Sequence, residues 1–182
     1  ETEVDKLIVE ELSDPLMHLI RNAIDHGVEA SARRKELGKP PQGTIGLIAY
    51  QKGNHVVIEV RDDSAGMDPQ RLTKKAIERG LISADEAREM SREDILNLIF
   101  MPGFSTTERV TDLSGRGVGM DVVRRNIQGL RGTITVSSEL GHGTSFAISL
   151  PLDLSILDGT LVEAEHQQFI VPDDRVLEFI DV

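Results

Sequence analysis

The chain has no cysteine and no tryptophan, and only one tyrosine and five phenylalanines among 182 residues. Without Cys there is neither a disulfide framework nor a thiolate metal site, and a charged, cysteine-free composition fits a reducing cytoplasm. With aromatics at 3%, the core has to be aliphatic. No apolar run approaches the ~20 residues that span a bilayer. The opening Glu1-Thr2-Glu3-Val4-Asp5 has no signal-peptide character and reads as a cut inside a longer protein. Basic surface is scarce as well: 31 Asp and Glu against 20 Lys and Arg give a net charge of −11. That argues against a general nucleic-acid-binding face, and the excess acid is most simply a solubilising surface. It leaves phosphate binding open, because a few Arg, Lys and backbone N–H groups in one place suffice.

What is present is ordinary for a globular protein: 39% apolar and 28% charged residues, in a length that allows one well-buried domain and a fragment of a second. Residues 4–12 read as a short amphipathic helix. Ser13 or Asp14 can cap a second helix with Pro15 in its first turn, running to about His26 and ended by Gly27. Residues 28–42, polar and containing Pro40-Pro41, read as a helical turn and loop. Alternation over 44–51 and 55–61 around Lys52-Gly53-Asn54 predicts a β-hairpin. Helices are expected over 69–79 (closed by Gly80), 84–88 and 92–100, with Ser91 and Asp94 spaced as a capping box. Residues 101–118 have little periodicity and predict a long functional loop. A helix over 119–130 and a hairpin of 133–138 with 145–150 follow. The boundary falls near 151–153, and two strands (156–164 and 168–171) lie beyond it.

Three stretches carry chemistry. In the helix from Asp14, Leu16, Leu19, Ile20, Ala23 and Ile24 form an apolar stripe, while His18, Arg21, Asn22 and Asp25 share the other face. A solvated face is the ordinary reading of such a set, but Glu and Lys would be better helix formers there. An Asn carbonyl is a hard oxygen suited to Mg²⁺ arriving with phosphate, and His18, one turn earlier, could accept a proton or orient a water. Second, an alternating strand runs into Asp62-Asp63-Ser64-Ala65-Gly66. A carboxylate at a strand end can accept an exocyclic amine of adenine while a water or hydroxyl meets a ring nitrogen, although an Asp-rich turn can also be only a turn. Third, Gly115, Gly117 and Gly119 precede a helix, where backbone can approach phosphates. No strand precedes this run and no Gly-Lys-Ser/Thr occurs, so neither a Rossmann fingerprint nor a P-loop is supported. Gly141-x-Gly143-Thr144 by itself is a hairpin turn.

Order and spacing give these pieces a joint meaning. The Asn helix, the Asp-x-x-x-Gly turn, FMPGFST at 100–106, GRGVG at 115–119 and the final GxGT resemble the N, first glycine, F, second glycine and GT boxes of the GHKL ATPase and kinase superfamily. HLIRNAIDHG, FMPGFST and SGRGVGMDVV are similar, more narrowly, to the ATP-binding kinase domain of CheA-type chemotaxis histidine kinases. This resemblance covers about residues 3–152, and from Leu154 the tail resembles the first strands of a CheW-like regulatory domain. It implies an α+β fold, the GHKL (Bergerat) two-layer α/β sandwich, with a mixed sheet, helices on one face and a mobile ATP lid formed by 101–118. The implied domains are 1–152 for ATP binding and 153–182 for the truncated regulatory start.

The resemblance also implies roles and partners. Asp62 would bind adenine with Thr144 in support, Asn22 would ligate Mg²⁺, and His18 would act as base or orienter. Arg21, Asp25, His26, Arg71 and Lys75 would face ribose or phosphates. Gly66, Ser105, Thr106, Gly115, Arg116, Gly117, Gly119 and Met120 would complete the ATP site. The cofactors would be ATP and Mg²⁺, and the reaction transfer of the γ-phosphoryl to a histidine on a separate phosphotransfer domain. None of His18, His26, His55, His142 and His166 suits the acceptor role. The acceptor and the dimerisation helices would lie elsewhere in a homodimeric parent, which would also meet receptor-coupling CheW-like proteins and chemoreceptors; this fragment would be monomeric and inactive without an added substrate domain. One position departs from the pattern: the first glycine box has Gly where this chain has Ser64. A positive φ there would cost on the order of 1 kcal/mol and weaken nucleotide binding; a negative φ would make Ser64 harmless. Two other readings compete. A conformationally coupled GHKL ATPase would carry a water-activating Glu where this chain has His18. A pseudokinase or scaffolding module would fit a damaged site at Ser64.

Overall fold

The computed structural model describes residues 6–104, 119–152, 159–164 and 167–172. They form two compact units, Glu1–Leu152 and Asp153–Val182. The first opens with helix α1 (Lys6–Asn22), which continues into a π-helical turn at Ala23–Gly27. α1 does not break at Ser13 or Asp14, and Pro15 sits inside it. The lost hydrogen bond is tolerated because the Pro15 ring is fully buried in one stripe with Leu12, Leu19 and Ala23, so packing overrides local propensity. Ile24, expected in that stripe, is 59% exposed. The helix widens where Val28 N–H reaches back five residues to the Ala23 carbonyl, and the wider turn shifts the phase of the residues after it.

After α2 (Ser31–Glu36), strands β1 (Ile45–Lys52) and β2 (His55–Asp62) form the expected hairpin. Lys52 pairs with His55 across a two-residue loop whose Gly53 has φ +62°. Helix α3 (Pro69–Glu78) starts on Asp68, whose carboxylate caps Gln70 N–H with Pro69 in the first turn. Capping boxes open both α4 (Ala84–Glu89), at Ser83 and Glu86, and α5 (Arg92–Asn97), at Ser91 and Asp94. A 3₁₀ turn at Leu98–Phe100 ends the latter. Helix α6 (Met120–Gly129) leads to β3 (Thr133–Glu139) and β4 (Gly143–Pro151).

The fold is α+β. The four strands lie in the order β1-β2-β4-β3, and every pairing among the described residues is antiparallel, where a mixed sheet was expected. Register places Val60, Phe146 and Val136 in one row and Ile148 and Ile134 in the next. These side chains are buried, and helices α1, α5 and α6 lie close to these strands. Phe100 meets Phe146 edge-on at 6.4 Å. The same register sets Asp62 opposite Thr144, on the row that follows the apolar core toward the sheet's end. The second unit contains a separate antiparallel pair, β5 (Gly159–Ala164) with β6 (Gln167–Pro172).

Candidate functional site

A cavity of about 240 Å³ opens between the end of α1, the β2 turn, α3 and the start of α6. Asn22, Asp62, Gly66, Lys75, Met120 and Thr144, all expected from the sequence, line it together. Its apolar wall comes from residues that sequence reasoning did not single out: Met67, Ile99, Phe104 and Phe146. Phe146 is two residues from Thr144 on the same strand face, so period-two alternation could have found it. His18, Arg21, Asp25, Arg71 and Gly119 are not part of the wall; Arg21, Asp25 and Arg71 are exposed. His26 lies in the π-helical turn. Ser105, Thr106, Gly115, Arg116 and Gly117, with residues 105–118 of the expected lid, lie outside the described residues; of its start at 101–104, Phe104 lines the cavity.

Asp62 is almost wholly buried. Its Oδ1 accepts two backbone N–H groups, from Ser64 at 3.1 Å and from Thr144 at 3.1 Å. Among the described residues no donor reaches Oδ2, so the fold engages one carboxylate oxygen of a residue that lines the cavity. Thr144 Oγ1 lies 3.0 Å from Ser138 Oγ. Ser138 also accepts Met67 N–H at 2.8 Å and reaches the Gly143 carbonyl at 2.9 Å, which ties β3, β4 and the Asp62 turn at one point.

Two glycines make this junction possible. Gly66 has φ +69°, and a Cβ there would run into the Glu139 carbonyl; Gly143 has φ +111°, and a Cβ would meet the Asp62 carbonyl. Ser64 is different. Arg131 is the one non-glycine residue with positive φ among the described residues, so Ser64 carries no left-handed strain. It is 2% exposed, and its hydroxyl accepts Gly66 N–H at 3.2 Å. The serine fits, and its own hydroxyl helps close the turn.

Across the cavity, Asn22 Nδ2 approaches the Met120 sulfur at 3.3 Å, leaving the Asn22 carbonyl oxygen without a donor among the described residues. A free amide oxygen is the kind of ligand that Mg²⁺ takes when most of its shell is phosphate and water. No group of three or more His, Cys, Asp or Glu that could hold a metal alone occurs among the described residues. Lys75 Nζ sits 5.0 Å from the centre of the Phe104 ring. Burial, then neighbouring Arg79 and Arg71, push its ammonium below the usual lysine range. An anion entering the cavity would favour the charged ammonium and so oppose this shift. Arg79 Nη1 holds the Gly103 and Phe104 carbonyls at 2.7 and 2.5 Å, fixing the root of the segment that follows. The half-buried His18 imidazole is held below its ordinary pKa by burial and then by Arg21.

Residues 11–154 match the family model of histidine kinase-, DNA gyrase B- and HSP90-like ATPases. The chain belongs to this ATPase family. The sensor histidine kinase CheAY of Helicobacter pylori is 49% identical to it over 182 residues, 100% of this chain and 23% of that protein. The chemotaxis protein CheA of Cereibacter sphaeroides is 50% identical over 177 residues, 97% of this chain and 26% of that one. The chain thus spans about a quarter of the length of the curated relatives it matches. A solved histidine kinase domain from the Erythrobacter litoralis EL346 blue-light activated histidine kinase aligns with a TM-score of 0.43 and 15% identity, covering 78% of this chain and 43% of that one. Membership of this family supports the use of ATP; among the described residues no helix is long and apolar enough to cross a membrane.

Proposed function

We propose that residues 1–152 are the ATP-binding catalytic domain of a CheA-type sensor histidine kinase, which transfers the γ-phosphoryl of ATP to a histidine on a separate phosphotransfer domain in chemotaxis signalling. Residues 153–182 are then the start of a CheW-like regulatory domain, through which the homodimeric parent meets receptor-coupling proteins and chemoreceptors in the cytoplasm. The observation that carries the reading is the asymmetry of Asp62: Oδ1 is spent on Ser64 and Thr144 N–H groups, and Oδ2 is free to accept the exocyclic amine of adenine. Phosphoryl transfer asks mainly for positioning and charge neutralisation. The cavity offers that chemistry through Asn22 and Lys75, while its two hydroxyls, Ser64 and Thr144, are engaged with Gly66 N–H and Ser138 Oγ.

In this reading the purine lies against the apolar wall and Lys75 reaches the phosphates, with Arg71 one turn away on α3 and Arg21, Asp25 and His26 at the end of α1. Gly66 closes the adenine turn. Gly119 and Met120 open α6, and Gly115, Arg116 and Gly117 belong to the phosphate-side loop, with Ser105 and Thr106 in the lid. Asn22 would hold Mg²⁺ by its free carbonyl oxygen, and the bound ion would neutralise charge on the phosphate oxygens. His18, neutral at pH 7, accepts the proton or orients the acceptor. A water-activating Glu is missing at position 18, which disfavours the hydrolytic ATPase reading. The pseudokinase reading loses its support because Ser64 is unstrained.

The test is calorimetric titration with Mg-ATP, with Asp62→Asn as control, followed by transfer of labelled phosphate to an added histidine phosphotransfer domain. Saturable binding is expected, weakened by about 1.5–3 kcal/mol in the variant, the range for a hydrogen bond to a charged group. Transfer should depend on Mg²⁺. Absence of binding by the folded chain would sink the proposal.

A further inference from the structure

The Asp62 turn is gripped from behind by α2 and its flanks. Fully buried Arg34 donates from Nη1 to the Asp63 carbonyl at 3.1 Å and spans both Asp63 carboxylate oxygens, at 3.1 and 2.8 Å. Lys39 Nζ donates to the same Asp63 carbonyl at 2.9 Å, to the Ser64 carbonyl at 2.7 Å and to Glu29 Oε1 at 2.8 Å. Two cations therefore converge on one carbonyl oxygen. That oxygen belongs to the peptide group whose N–H is Ser64's, and this N–H donates to Asp62 Oδ1. One peptide unit is held at its oxygen end by positive charge and at its N–H end by the adenine-site carboxylate. Cations drawing electron density toward the oxygen make the N–H a stronger donor. Fixing the peptide plane also fixes which carboxylate oxygen is consumed and which is left for a ligand.

Neither cation lines the cavity, so neither touches a ligand there, and the bonded route from them to Asp62 runs through this peptide. Arg34, also bonded to Glu29 and to the Pro40 carbonyl at 2.7 Å, is a structural anchor whose removal would disturb the fold. Lys39 is partly exposed, and two of its three bonds go to carbonyls of the turn. We propose that Lys39 is a positioning residue for recognition of the exocyclic amine of adenine, acting through the Asp63–Ser64 peptide on the Asp62 carboxylate. The proposal rests on the adenine reading of Asp62.

The test is a cycle of two ligands and three proteins by calorimetry. The ligands are ADP and purine ribonucleoside diphosphate, which has hydrogen in place of the 6-amine. The unmodified chain is expected to bind ADP at least about tenfold more tightly than the analogue. Lys39→Met should weaken ADP about five- to tenfold and change the analogue by less than about twofold, and Lys39→Arg should restore most of the ADP affinity. Equal losses on both ligands, or no loss on ADP, overturn the proposal. Circular-dichroism melts check folding. Should Lys39→Met be unfolded, Lys39→Gln takes its place; if neither neutral variant folds, Lys39 is a structural cation and the proposal falls. A wild-type chain that does not distinguish the two ligands would sink the adenine reading itself, a result separable from failure of the Lys39 relay alone.

Discussion

His18 stands one helical turn before Asn22, with a half-buried imidazole that burial and then Arg21 hold below the ordinary 6.5. In the unfolded chain the same ring titrates near 6.5. Between that value and the lowered folded one, the unfolded state binds more protons, so stability falls as pH falls through this window. An NMR titration should place the His18 midpoint below 6.5. Arg21→Gln should raise it only part of the way, because burial is the larger cause. His18→Asn should flatten the stability loss that accompanies acidification. A midpoint at or above 6.5 would mean that burial and Arg21 do not hold the ring down as the geometry requires. The meeting of Asp62, Asn22 and Thr144 in one cavity was legible in the sequence because each sits in a short motif of fixed spacing. Arg34 was not. It follows Arg33 directly in a polar stretch read as helical turn and loop, yet the Arg33 side chain is 62% exposed and the Arg34 side chain 1% exposed. Their difference is decided by Asp63, 29 positions away, and no local pattern carries that information.

Elements whose formation depends on near neighbours were readable: the β1–β2 hairpin, the Ser91–Asp94 capping box, the end of α3 at Gly80. The unbroken course of α1 was not, because the Pro15 ring is rewarded by burial that only the tertiary structure supplies. Nor was the β2–β4 pairing, 82 residues apart at Asp62 and Thr144, on which the site depends. A close joint between elements lies where the β2 turn meets the β3–β4 turn: Gly141 N–H donates to the Ala65 carbonyl at 2.7 Å, with Gly66 packed against Glu139. Gly66→Ala adds a Cβ at positive φ and against backbone, which does not yield as a side-chain end would. This variant should lose more than about 1 kcal/mol of stability, and its ADP affinity should drop with it as the Met67–Ser138 contact shifts. Denaturant melts and ADP titration of the same preparation measure both. Ser64→Gly is the contrasting control. It lacks strain to relieve and should leave the melt within about 1 kcal/mol of the parent, the scale of a single lost hydrogen bond. A tolerated Gly66→Ala would mean that the two turns are less closely joined than their geometry requires.

At the scale of the whole molecule, the two units keep separate hydrogen-bond ladders: four strands in one sheet and a lone pair in the other. Every described residue assigned to adenine or Mg²⁺ comes from the first. A two-stranded hairpin is marginal by itself, and stability comes from the rest of a core. The four-stranded sheet, by contrast, buries Val60, Ile134, Ile148 and Leu150 in its own interior. Burial at this level, at roughly 1.5–3 kcal/mol per large aliphatic side chain, stabilises the sheet that carries Asp62 and Thr144. A chain ending at Leu152 should therefore keep its cooperative melt and bind ADP within about twofold of the full chain, a difference of less than about 0.5 kcal/mol. The decisive comparison is the pair of ADP isotherms at matched salt, since the net charge of −11 makes the approach of an anionic ligand sensitive to ionic strength. A tenfold loss on truncation would show that residues 153–182 complete the site. Equal affinity would assign nucleotide binding to the first unit, Glu1–Leu152, alone.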